Sequence, residues 1–246
     1  MKRSNRIRLY IIIPFLILIL SCDKEKNPEV TPINFNPAIS YGTMTDQNRN
    51  TYKTVTIGSQ VWMAENLRAT SFSDNTSIPL VTDNKEWINS SSPAYCWYQN
   101  DPDANKSIYG ALYNWHAVKT GKLCPSGWHV PSNEEWLTLR KYLGGEDLVG
   151  GKLKETGISH WQSPNSGATN ESGFTALPGG GRLCIGTGNE GNFSGKGTIC
   201  SFWTATEQSS EPLSPAYGFR IHADNPRLFH GGFYIRDGFN VRCIKD

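Results

Sequence analysis

The sequence predicts an α+β domain whose N- and C-terminal strands pair in one sheet. Alternating apolar runs stand near both ends of the folded part: Val55 and Ile57 with Val61 and Met63, then Phe239, Val241 and Cys243. Between them lie two stretches with helical apolar spacing and a long region rich in Gly, Asn and Ser. The 24 Gly and 14 Pro among 246 residues favour turns over long helix.

Residues 1–22 read MKRSNRIRLYIIIPFLILILSC, with four positive charges ahead of an apolar run from Leu9 to Leu20. Twelve apolar residues are too few for a membrane span, which needs ~20, and suit a secretory signal. Ile19-Leu20-Ser21 before Cys22 resembles a bacterial lipobox, bulkier than usual at Leu20. Residues 1–21 are therefore expected to be a lipoprotein signal peptide. Cys22 is the expected lipid attachment site, and residues 22–38, with three prolines and several charges, the tether. The charges directly after Cys22 point to outer-membrane sorting. The 24 basic and 22 acidic residues give a net charge of +2. Lys2, Arg3, Arg6 and Arg8 all leave with the signal, so 20 basic residues face 22 acidic ones afterwards, a net charge of −2. Such a balance excludes nucleic acid as the partner.

The domain proper is expected over 39–246. Gly58-Ser59 sits between the first two apolar runs as a hairpin turn. Ser71 to Ser92 reads as loop with a short helix. Tyr109, Leu112, Tyr113 and His116 fall at helical spacing and predict a helix over 109–119. Ser132 and Glu135 form a capping box for a helix that buries Trp136, Leu139 and Leu143 and stops at Gly144-Gly145. Gly150 to Gly197 shows little periodicity and predicts loops. Tyr217, Phe219 and Ile221 alternate, and Asp237-Gly238 between apolar runs predicts a type I′ hairpin.

The stretches GTMTDQNRNTYKTVTIGSQVWMAENL, AYCWYQNDPDANKSIYGALYNW, CPSGWHVPSNEEW and GFNVRCIKD, with the run from Gly150 to Gly180, resemble the Fibrobacter succinogenes major paralogous domain from about Tyr41 to Asp246. That family occurs in secreted proteins and lipoproteins. The resemblance implies a C-type-lectin-like fold with paired terminal strands, two main helices and a long loop-rich region, akin to the formylglycine-generating-enzyme branch. Residues 127–136 resemble that branch's Arg-Leu-Pro-Thr-Glu-Ala-Glu-Trp segment. The resemblance also implies a disulfide between Cys124, near a helix start, and Cys243, on the last strand. A second bridge, Cys184–Cys200, is expected across the Gly-rich insertion, which leaves Cys96 free. No activity transfers from the family.

The residues themselves exclude several chemistries. No Cys-x-x-Cys spacing exists, and the five histidines form no metal pair, so a zinc site is not expected. Gly186, Gly188 and Gly191 spell a dinucleotide fingerprint without the following helix. Asp101, Asp103 and Asn105 alternate as calcium loops do, but Lys106 and Leu112 occupy the glycine and glutamate positions, so an Asx-rich turn capping a helix is favoured. Calcium is the one cofactor left open. Trp161, Asn165, Asn170, Glu171 and Trp203 lie in the loop-rich part, where aromatics beside amides suit ligand binding; burial under the loops is the competing assignment. The expectation is a membrane-anchored envelope lipoprotein acting as a non-catalytic binding module for a surface glycan or protein. The alternative is a thiol-oxidising enzyme of the formylglycine-generating-enzyme-like branch, which needs two adjacent reducible cysteines.

Overall fold

The structure, a computed structural model, describes residues 31–184, 191–208 and 216–246. The expected signal peptide, Cys22 and the first part of the tether lie outside them, as do Gly186 and Gly188. No helix of the described residues is long and apolar enough to cross a membrane.

The compact unit begins at Thr31, eight residues ahead of the expected boundary. Asn34 donates its backbone N–H to Glu155 Oε1 at 2.7 Å, Asn36 Nδ2 donates to the Asn170 carbonyl at 2.9 Å, and Ile33 packs on Ile108, Tyr109 and Leu177. Most of these contacts use backbone and amide groups, which leave no apolar period in the sequence.

Strands β1 (Gly42–Thr45), β2 (Thr51–Ile57) and β3 (Gln60–Met63) form an antiparallel meander. Asp46 closes its first turn by accepting from Asn48 and Asn50 N–H and from the Tyr52 hydroxyl. The second turn is the expected Gly58-Ser59 pair, with Gly58 at φ +63° where a side chain would be strained. Helix α1 (Asn84–Asn89) is capped by Asp83. Next come β4 (Tyr95–Cys96), α2 (Pro102–Tyr109), β5 (Leu112–Tyr113), α3 (Trp115–Lys119) and β6 (Trp128–His129). Helix α4 (Asn133–Tyr142) carries the expected capping box and buries Trp136 and Leu139, with Leu143 buried just beyond its end. Helix α5 (Glu146–Leu153) and strands β7 (Gly179–Leu183), β8 (Asn192–Lys196), β9 (Ile199–Glu207), β10 (Ala216–His222), β11 (Asn225–Phe233) and β12 (Ile244–Lys245) complete the chain.

The strands form two five-stranded sheets, ordered β1-β2-β3-β12-β6 and β11-β10-β9-β7-β8, and a small β4-β5 ladder. The last strand therefore pairs with the first meander, as expected for joined termini. Val55, Ile57 and Trp62 of the first sheet meet Phe202, Phe219 and Ile221 of the second through α4 and α5. Trp136 is central there, stacked on Phe219 at 4.9 Å and edge-on to Trp62 at 5.0 Å. A second cluster gathers Tyr113, Trp115, Trp203, Phe239 and Val241.

The segment from Gly238 to Asp246 threads between these parts. Gly238 exchanges backbone hydrogen bonds with Arg182, Phe239 with Tyr113, and Asn240 with Ser201 and Trp203. Leu67 and Met63 donate to the Val241 and Cys243 carbonyls, and Ile244 lies between Trp62 and His129. Side chains extend the pattern. Asn240 Nδ2 donates to the Tyr109 and Ala111 carbonyls, both at 2.9 Å. Arg242, fully buried, donates to Asn66 Oδ1 at 2.9 Å, to the Thr175 carbonyl at 2.8 Å and to the Phe174 carbonyl. Burial brings its pKa down to about 9, still cationic at neutral pH. Cys243 is disulfide-bonded to Cys124, 119 residues away.

Two expectations are corrected and one is refined. The helix placed over 109–119 is instead the end of α2, the strand β5 and the short α3. Gly110, at φ +70° and crowded by Asn66 and Leu67, stops α2 where the expected helix starts, and Asn114 caps α3 afresh. The helical spacing of Tyr109, Leu112 and Tyr113 arises because all three are buried, Tyr109 at the end of α2 and the other two on β5. The region 150–197 is loop-rich as expected, with no helix or named strand over 154–178, but it also holds the end of α5, then β7 and β8. Its helical glycines lie where a Cβ at Gly150 would strike the Arg227 carbonyl and one at Gly151 the Gly167 carbonyl. Asp237-Gly238 forms no hairpin, because Gly238 pairs with Arg182 and the Asp237 carboxylate accepts from Cys184 N–H at 2.8 Å. The terminal hairpin turns instead at Ala223-Asp224, between β10 and β11.

Arg242→Leu should cost about 3–4 kcal/mol, because it orphans several buried acceptors at once; chemical denaturation measures this, and a loss below 1 kcal/mol would contradict it. Replacing both Cys124 and Cys243 by Ser should cost up to ~4.7 kcal/mol, the chain-entropy value for so long a loop. The denaturation midpoint of the double variant against the oxidised parent reads that cost.

Candidate functional site

The loop residues singled out for ligand binding face inward. Trp161 and Trp203 are 1% and 0% exposed, and their indole N–H groups donate to the Ala176 and Tyr113 carbonyls at 2.9 and 2.7 Å. Asn165 Nδ2 donates to the Glu155 and Gly157 carbonyls. Asn170 brackets Thr175, accepting from its N–H and donating to its hydroxyl. Glu171 alone is exposed, paired with Lys152 at 3.1 Å. The proposed face is therefore not a surface. A buried region with little regular structure must satisfy its backbone carbonyls from side chains, and these amides and indoles do so.

The calcium candidates are also committed. Asp101 caps α2 by accepting from Ala104 N–H, and Asp103 is exposed in the first turn. Asn105 donates to the Tyr98 and Asp101 carbonyls while its oxygen accepts from Lys196 Nζ at 2.6 Å, so an ammonium already supplies positive charge there. Among the described residues no cluster of three His, Cys, Asp or Glu side chains could hold a metal.

The expected Cys184–Cys200 bridge does not form; both are free buried thiols, as is Cys96. Gly180 of β7 lies beside Cys200 of β9, so Cys184, four residues on, lies ~13 Å further along the strand direction. That exceeds the ~7 Å Cα limit for a disulfide. Burial pushes all three thiols up to about 12, which makes them poor nucleophiles. Two further buried cations hold backbone. Lys154 Nζ donates to the Ser166, His222 and Asn225 carbonyls, and Arg182 to those of Gly191, Val81 and Thr82.

The second sheet carries a different candidate. Phe219 and Ile221 of β10 pack into the core beside Trp136. The other phase of the strand, Gly218, Arg220 and His222, points to the opposite face. Register aligns Arg220 with Ser201 on β9 and Phe229 on β11, and Gly218 with Gly231. Arg220 Nε donates to Ser201 Oγ at 3.0 Å, and its guanidinium lies 4.8 Å from the Phe233 ring centre and 5.5 Å from that of Phe239. No carboxylate among the described residues pairs with it, and its terminal nitrogens donate to no described residue. The His222 ring meets Phe229 edge-on at 5.0 Å; burial and Arg220 hold this histidine below the usual range. A Cβ built on Gly218 would meet the Phe233 ring, whereas one on Gly231 would meet nothing within 4 Å. The result is a half-exposed notch floored by Gly231, walled by Phe229 and Phe233, with Arg220 beside it. Periodicity in AYGFRIH picks out the core phase; the faint signal for the other is a glycine at the centre of the aromatic-flanked run FHGGF.

His129 stands in a separate polar cluster that fastens the chain end to α4. Its Nδ1 lies 2.6 Å from Asp246 and its Nε2 2.9 Å from Glu135, whose other oxygen accepts from Ser132. Burial opposes the charge, but the two carboxylates outweigh it and the pKa is raised. Among the described residues both imidazole nitrogens are held by carboxylates and by no nucleophile, the arrangement of a clasp. A raised folded pKa stabilises the protein fully below the unfolded value of 6.5 and fades as pH climbs through the folded one. His129→Gln should therefore cost most stability near pH 5.5 and progressively less above pH 7 in denaturation series; a gap that widens with pH would contradict the assignment.

Neither a curated protein nor a solved structure matches the chain. Residues 55–245 match the family described as the Fibrobacter succinogenes major domain. The matched stretch starts within β2 and leaves out β1; it takes in the rest of the first sheet, the whole of the second as described, α1 to α5, and the thread from Gly238 to Lys245. By that match the chain belongs to the Fibrobacter succinogenes major domain family.

Proposed function

We propose that this chain is a non-catalytic binding module, built on a C-type-lectin-like fold, that a lipidated Cys22 anchors to the bacterial envelope, in the outer membrane. Its ligand, a surface glycan or protein, is taken on the face formed by β9, β10 and β11. The observation that carries this reading is the half-exposed notch at Gly231, where two aromatic walls stand on a rigid sheet beside a cation that no described carboxylate pairs. Rings that stack and a guanidinium that donates two parallel hydrogen bonds bind and orient a ligand, and among the described residues no nucleophile hydrogen-bonded to a general base stands with them.

Support against the thiol-oxidising alternative comes from the cysteines. All three free thiols are buried, Cys96 and Cys184 in one cluster with Trp87 and Cys200 in another, and burial pushes each up to about 12, which leaves none of them a ready nucleophile; the disulfide joins β12's approach to a loop far away in sequence. The anchoring part of the proposal rests on the charged, apolar and lipobox-like order of residues 1–22.

Two measurements separate these readings. A thiol reagent added to the native protein should find no fast-reacting cysteine and should label Cys96, Cys184 and Cys200 only on unfolding; a rapidly reacting pair would favour the enzyme. Cys22→Ser should release the protein from membranes or leave an uncleaved precursor, and unchanged partitioning and processing would remove the anchor.

A further inference from the structure

We propose that the Gly231 notch binds an acidic sugar, its carboxylate on the Arg220 guanidinium and its ring between Phe229 and Phe233. The proposal rests on the binding-module reading above and adds the class of ligand.

The charge comes first. Among the described residues Arg220 spends only its Nε–H, on Ser201. Its two terminal nitrogens remain, and a guanidinium fork matches a carboxylate in shape and in charge. The aromatic rings of Phe233 and Phe239 hold the group in place and partly dry, which strengthens an ionic hydrogen bond made there. Asp237 is the nearby acid, but it is buried, its pKa raised by burial to about 6, and its carboxylate accepts from Cys184 N–H. It therefore leaves the fork unfilled.

The shape comes second. Phe229 and Phe233 are four residues apart on one strand, ~13 Å between their Cα atoms, with Gly231 midway. A pyranose chair can lie on that floor with its C–H faces toward the phenyl walls, the usual way aromatic side chains hold a sugar. A peptide that added a strand to β11 would need the free edge of that strand. Helix α5 packs there: a Cβ on Gly150 would strike the Arg227 and Pro226 carbonyls. The face is thus read through its side chains, one ring at a time, which favours a sugar over an extended peptide.

Gly231 also supplies the test. Its φ lies outside the left-handed region and its Cβ direction is open, so Gly231→Trp fills the notch without strain. The purified protein is titrated calorimetrically with glucuronate-, galacturonate- and mannuronate-containing oligosaccharides and with their uncharged methyl esters. At least one acid should bind, its ester ~10-fold or more weaker, as expected for loss of a charge-assisted pair. Arg220→Gln should weaken acid binding by a similar factor, and Gly231→Trp should abolish it while leaving the melting temperature unchanged. The proposal is overturned if no uronate binds, if acid and ester bind alike, or if Gly231→Trp binds as the parent does. A neutral glycan or a protein ligand blocked by Gly231→Trp would overturn the acidic-sugar assignment and leave the binding module standing.

Discussion

The guanidinium of Arg242 sits fully buried among acceptors contributed by β3, the β3–β4 connection and the loop before β7, and its hydrogen bonds join parts of the chain up to 179 residues apart. A buried cation without a carboxylate in hydrogen-bond contact is tolerated only where carbonyls and an amide satisfy it. Here the Asn66 oxygen and the Phe174 and Thr175 carbonyls do so, and the Phe174 ring lies 4.2 Å from the charge. Each of these acceptors needs the guanidinium as much as it needs them. The strand segment that carries Arg242 is therefore held in one register, with Asn240 on one side tied to the α2 end and Cys243 on the other tied to Cys124. Both sheets, the small ladder and the long loop region meet on these few residues. The order of a chain with so little helix follows from this shared thread more than from any one element.

The same thread decides what is left open. On the outer face of the second sheet, Phe239 and Phe233 pack over Trp203 and close that half of the surface. The other half, where Arg220, Phe229 and Gly231 lie, receives no such cover among the described residues. Position on paired strands makes the notch rigid, and its backbone groups are already spent in the ladder. Recognition there falls to side chains. The loop region, by contrast, is folded inward by its own amides, so its abundance of Asn and Trp reflects the cost of burying irregular backbone.

Local signals in the sequence were legible where one element owned them. The capping box of Ser132 and Glu135, the Gly58-Ser59 turn and the pairing of the terminal strands each depend on neighbouring residues or on simple alternation. What failed depends on distant partners. Gly110 leaves the helix at φ +70°, where a Cβ would strike Asn66 and the Leu67 carbonyl, so the stop depends on a distant segment that only glycine clears. Asp237-Gly238, a good turn in isolation, is drawn apart by Cys184 and Arg182. Trp161 and Trp203 have compositions around them that suit a binding loop, and only the tertiary packing shows them as core. The notch was missed for the complementary reason: its residues come from β9, β10 and β11 and converge only through register. The resemblance to the family placed Cys124 opposite Cys243, which spacing alone could not do.

Native-state hydrogen exchange tests the role of the C-terminal thread most directly. The amides of Met63, Leu67 and Trp203 donate to the carbonyls of Cys243, Val241 and Asn240, so they report whether the thread stays in place. If the thread is the constraint that joins the parts, these amides exchange only through global unfolding, with the same opening free energy and denaturant dependence as the core of α4. Exchange of these amides through a smaller, local opening, while α4 stays protected, would show that the two sheets stand without the thread and would contradict the account.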